Sequence, residues 1–149
     1  MNSFIERLVA TRSFGFVART VLTFMFWSSG LAKLIDFPTA MAEMQRFGLA
    51  PAAPVAILVI IVQLGGSALV IHGRHAWLGA GALGIFTALT IPIAHAFWTM
   101  SGEMAFLEMM FVFEHISVIG GLMVAAALCA PHRISSASTS SVGHLVRGA

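Results

Sequence analysis

The chain has no tyrosine, one cysteine (Cys129), and Asp, Glu, Lys and Arg at only 9% of its 149 residues. Each shortage excludes something. A single cysteine leaves no intrachain disulfide and no CxxC pair for dithiol redox work. So few charges cannot cover a soluble surface, for which about 25% is usual. The eight Lys and Arg are scattered along the chain, which argues against a nucleic-acid surface. What is abundant is apolar: 58% of residues, with a mean hydropathy of +0.93. A soluble enzyme domain and a disordered chain are both excluded, and the length allows one domain.

A hydrocarbon core about 30 Å thick takes about 20 mostly apolar residues in a helix. Four segments qualify, at about 16–35, 54–71, 76–98 and 109–130. Backbone groups in lipid must all be paired internally, so these runs are helices. The second and third are joined only by His72-Gly73-Arg74-His75, an antiparallel hairpin. The expected fold is all-α, an integral membrane four-helix bundle with short loops. Residues 1–14 form a cytoplasmic leader, 15–131 the membrane domain and 132–149 a Ser-rich, flexible cytoplasmic tail. Arg7, Arg12, Arg19, Arg74, Arg133 and Arg147 fall on one side, Lys33 and Arg46 on the other, which puts both termini in the cytoplasm. A cleavable signal ending near Ser28-Ser29-Gly30 is the rival reading of the N-terminus, but the leader carries Glu6 and the apolar run continues past that point.

Small residues should make the packing seams: Ala76, Ala80, Gly84 and Ala88 in span three, Ser117, Gly121 and Ala125 in span four, Gly65-Gly66-Ser67 in span two. Pro92 should bend span three and free a carbonyl near Ala88.

Charges inside a span cost about 2.5–3.5 kcal/mol at its centre, so each one that persists needs an account. Lys33 and Asp36 form an i,i+3 pair at the outer end of span one. His95 sits late in span three, facing an outer loop at about 101–107. Glu108 lies at the outer edge of span four, on the same face as His115, seven residues on. Glu114 and His115 point about 100° apart, so at least one faces inward. Gln63 lies midway along span two. Arg19 reads as a phosphate-facing anchor, and Trp77 and Trp98 as interfacial aromatics. The polar groups gather in the outer half, which suggests a pocket opening toward the outer side or its leaflet.

The run Arg19…Phe26-x-x-x-Gly30-Leu31-x-Lys33-Leu34, then Phe47-Gly48, Gln63-Leu64-Gly65-Gly66, Gly73 beside a basic residue, His95 and Gly120-Gly121 resembles the DoxX family over about residues 15–128. The resemblance implies a four-helix integral protein of a bacterial cytoplasmic membrane. It also implies kinship with a small subunit of a thiosulfate:quinone oxidoreductase, and a position at Gln63 that is often Glu.

Two functions follow as expectations. One is a small subunit or accessory of a quinone-linked membrane oxidoreductase, with Lys33, Gln63, His95 and His115 as quinone or ligand donors. Phe97, Trp98, Phe111 and Phe113 would be its walls, and Asp36, Glu108 and Glu114 its proton relay. No electron carrier is encoded by motif, so a protein partner would hold the redox centre. The other is a non-catalytic scaffold or assembly protein for a redox or stress-response complex. Copper(I) at Met41, Met44, Met100, Met104, Met109 and Met110 is a third reading, set aside because thioethers fill apolar gaps and the spacing has no recognised metal geometry. No metal is expected.

Overall fold

The computed structural model describes residues 2–129, and all of its regular structure is helical. The helices are α1 (Asn2–Val9), α2 (Arg12–Leu22), α3 (Phe24–Ile35), α4 (Phe37–Arg46), α5 (Ala52–His72), α6 (Ala76–Ala94) and α7 (Gly102–Cys129), with a 3₁₀ turn at Phe97–Thr99. The tail at 132–149 lies outside the described residues.

Three stretches are long and apolar enough to cross a membrane: α5, α6 with its following turn, and α7. The expected first span is not one straight helix. Those residues form the pair α2–α3, bent by 57° at Thr23, so the described residues hold three spans, or four where the bent pair counts as one. The cause is local. Thr23, fully buried, donates its hydroxyl to Arg19 O at 2.8 Å, where its own N–H also bonds, and its backbone leaves the helical region at φ −93°, ψ 7°. Such back-bonding by Thr bends helices. The carbonyl of Thr20 takes a donor from further along, the Trp27 indole N–H at 3.2 Å.

Other boundaries also move. α6 stops at Ala94 rather than 98, two residues past Pro92, whose missing N–H weakens the ladder there. α7 starts at Gly102 rather than 109, so the expected outer loop is mostly helix and Glu108 stands in the second turn of α7. The stretch between spans one and two is not a loop. Asp36 caps α4, Pro38 fills its first turn, and Phe37, Ala40, Met41 and Met44 repeat at i, i+3, i+4 and i+7. That face packs on the start of α5, with Ala40, Met44 and Ala56 buried.

α5 and α6 form the expected hairpin, with Gly73 left-handed at φ 88° to end α5. Their seam is closer than side chains allow: a Cβ on Gly79 would lie 2.5 Å from Gly66 O, and one on Gly66 would meet Leu83 at 2.8 Å. Ala76 and Ala80 are buried in this seam as expected, but Gly84 faces open space and Ala88 is exposed. Gly121 of α7 meets Leu22 of α2. The central core is Phe26, Val70, Ala80, Leu83 and Leu122. Arg19 does not point away as an anchor. Its Nε donates to Ile71 O at 3.2 Å, satisfying the last turn of α5, where the helix dipole favours a cation.

Candidate functional site

The polar residues expected to cluster, Asp36 apart, fall into two groups, which no described hydrogen bond or ion pair connects.

The first group lies between α6 and α7. His95 ends α6, its N–H bonded to Ile91 O, and its side chain reaches α7. Its Nδ1 lies 2.6 Å from Glu108 Oε2, and both side chains are largely shielded, at 21% and 17% exposure. The rings of His95 and His115 meet edge-on, with centroids 4.7 Å apart, and Phe111 flanks His95 at 5.5 Å. Glu108, Phe111 and His115 share one face of α7 because their spacings are three and four residues. His115 Nδ1 lies 2.7 Å from Phe111 O. A carbonyl only accepts, so Nδ1 carries a proton and Nε2 of the neutral ring is the acceptor. The expected common depth of the two histidines is what the structure shows. Of the adjacent pair, His115 turns in and Glu114 turns out.

Below these rings the bend at Thr23 matters. α3 leans onto α4 and α5, while α7 packs on α6, the 3₁₀ turn and α2. Between α3 and α7 is an open-sided cleft of about 490 Å³, lined by Met25, Met110, Phe113, Glu114, His115, Ser117 and Val118. Its wall is mostly apolar, with one carboxylate and one imidazole. Of the expected aromatic walls, only Phe113 lines it. Phe111 flanks His95, and Phe97 and Trp98 stack edge-on with each other at 5.3 Å.

The second group lies between α3, α4 and α5. Lys33 does not pair with Asp36. Its Nζ reaches Glu43 of α4 at 2.9 Å and Ser29 Oγ at 3.2 Å. Gln63, buried, donates Nε2 to the same Ser29 Oγ at 3.4 Å, and its Oε1 has no partner among the described residues. Asp36 belongs to neither group. It accepts from Thr39 N at 3.1 Å and Thr39 Oγ1 at 2.8 Å, and these bonds, the side-chain one first, hold its carboxyl below the usual value. Met44 is packed between α4 and α5, while Met100 and Met104 are exposed.

Sequence reasoning missed Ser29, Glu43 and Met25, and weighed Met110 only as a metal ligand and not as a wall of the cleft. Ser29 carried a signal, one helical turn before Lys33. Glu43 was hidden by reading α4 as a loop. Met25 is visible only once the bend is known.

Compared with known proteins, the chain matches a family model, DoxX, over residues 14–96. The match takes in most of α2 and everything through His95, and stops before α7. No curated protein and no solved structure matches.

Proposed function

The chain belongs to the DoxX family, and from that premise we propose that it is a small subunit or accessory of a quinone-linked membrane oxidoreductase, with the α3–α7 cleft as its quinone site. The observation that carries this reading is the cleft itself: apolar, open at the flank, and holding the imidazole of His115 on its wall. A quinone travels in the hydrocarbon, so it needs a sideways entrance, apolar walls and at least one hydrogen-bonding group for a ring oxygen.

His115 Nε2 meets one ring oxygen, accepting from a quinol hydroxyl or, when protonated, donating to a quinone carbonyl. Each electron moved to or from the ring travels with a proton. His95 and Glu108 stand behind His115 to exchange that proton with the α4 end of the bundle. Glu114, at the cleft mouth, is the second carboxylate. The electrons pass to or from a redox centre on a protein partner. Lys33, Gln63 and Asp36 have no part in this site. We place the protein in a bacterial cytoplasmic membrane with the α4 end outside, on the positive-inside distribution.

The test is purification in mild detergent, with mass spectrometry of an organic extract and titration of added ubiquinone. Near-stoichiometric quinone is expected. His115→Ala should weaken binding by about tenfold, as the loss of a hydrogen bond in a dry site does, with the bundle still folded by circular dichroism. His95→Ala should weaken it less. Unchanged binding in both variants removes the cleft as the site. A wild-type protein that takes up no quinone but co-purifies with a soluble partner makes the scaffold reading the correct one.

A further inference from the structure

The group at Ser29, Lys33 and Gln63 is unfinished as a hydrogen-bond network. Gln63 is 5% exposed, midway along α5, and its Oε1 has no donor among the described residues. Exchanging the amide ends does not help, because the NH₂ would then be the unsatisfied end. Ser29 Oγ accepts from both Lys33 Nζ and Gln63 Nε2, so its acceptor capacity is filled, and its own proton has no acceptor among the described bonds. Lys33 has three N–H donors and uses two, on Ser29 and Glu43. Three unused donors (the Ser29 hydroxyl, one Lys33 N–H and the second Gln63 Nε2 N–H) and one unused acceptor, Gln63 Oε1, therefore belong to this group beneath Glu43. Leaving such groups bare in an apolar interior is costly.

A molecule that both accepts and donates hydrogen bonds matches this set, and water is the smallest that does. We propose that Ser29, Lys33 and Gln63 hold water inside the bundle, and that it reaches them from the α4 end, past Glu43. Glu43 stands at the entrance, 39% exposed, and Lys33 lies beneath it at 14%. The path is separate from the α3–α7 cleft and does not depend on what that cleft binds. It gives the α4 side an aqueous route to the middle of α5, a depth where the neighbouring surface of α5 (Ile57, Leu58, Ile61) is apolar and exposed.

The chain's single cysteine makes the test direct. In a Cys129→Ser background, Ser29→Cys is reconstituted into lipid vesicles and treated with sulfonatoethyl methanethiosulfonate, which does not cross lipid. Leu31→Cys, on the exposed apolar side of α3, is the lipid control, and Gln45→Cys on α4 marks the face. Ser29→Cys should react at least about tenfold faster than Leu31→Cys, because a thiol in hydrocarbon stays protonated and one pKa unit is tenfold in thiolate. It should react only from the face that labels Gln45→Cys. Adding Lys33→Met should slow it by removing the cation that favours the thiolate. If Ser29→Cys does not fold, Gln63→Cys is read the same way. A rate equal to that of Leu31→Cys, or labelling from the opposite face, overturns the proposal.

Discussion

Asp36 shows how one residue can look like chemistry and act as architecture. An acid three residues from a lysine reads as an ion pair, yet Thr39 takes both carboxylate oxygens and Lys33 turns to Glu43. Because the Thr39 bonds lower the carboxyl's pKa in the folded state, the cap contributes fully above the ordinary carboxylate range. Its contribution is lost as pH falls through the lowered value. Protection of the Thr39 amide from hydrogen exchange, taken relative to the intrinsic rate at each pH, should therefore be high at neutral pH and fall in acid, while Asp36→Asn should remove that pH dependence and leave the helix in place. Histidines were more legible than carboxylates here. The seven-residue spacing puts Glu108 and His115 on one face, and the antiparallel turn puts His95 at the depth of His115; that the face meets His95 is seen only in the structure. No spacing could reveal that Lys33 would choose a partner on α4.

At the scale of elements, the bend at Thr23 and the α5–α6 seam are the decisive features. A straight span from 16 to 35 is the natural reading of so apolar a run, because Thr is tolerated inside helices and its back-bond is invisible in composition. Thr23→Val with Trp27→Phe removes both side-chain donors that stabilise the bent carbonyls. We expect α3 to move toward α7, shortening the distance between spin labels at Met25 and Ser117 and weakening ligand binding in the cleft. The seam makes a sharper prediction. Gly79→Ala drives a methyl against the Gly66 carbonyl and should cost about 1–3 kcal/mol, whereas Gly81→Ala, in open space, should gain about 0.5–1 kcal/mol. Melting both variants in the same detergent distinguishes them. The seam was half visible in the sequence: Ala76 and Ala80 were placed correctly, but a four-residue repeat overlooked Gly79, which lies on the adjoining row.

For the molecule as a whole, the α5–α6 hairpin and the one-sided polar distribution could be read from the sequence, and the small-residue packing only in part, since Gly65 and Gly84 face open space and Ser117 is exposed. The open flank could not, because it arises from where α3 goes after leaving the core. If that flank admits the ligand, closing it should stop uptake. Cysteines at Met25 and Ser117, in a Cys129→Ser background and joined by a reducible cross-linker, should abolish quinone binding, and reductant should restore it. The helices also differ in length. α5 has 21 residues and α6 has 19, about 32 and 28 Å, close to the thickness of hydrocarbon; α7 has 28, about 42 Å. The two extra turns carry Glu103 and, at their inner limit, Glu108, the partner of His95. Hydrophobic mismatch therefore falls on that pair: a thicker bilayer draws the carboxylate and imidazole into hydrocarbon, and a thinner one returns them to the headgroups. Lipid chain length becomes a setting on the surroundings of the His95–Glu108 contact, which the longest helix holds at the boundary.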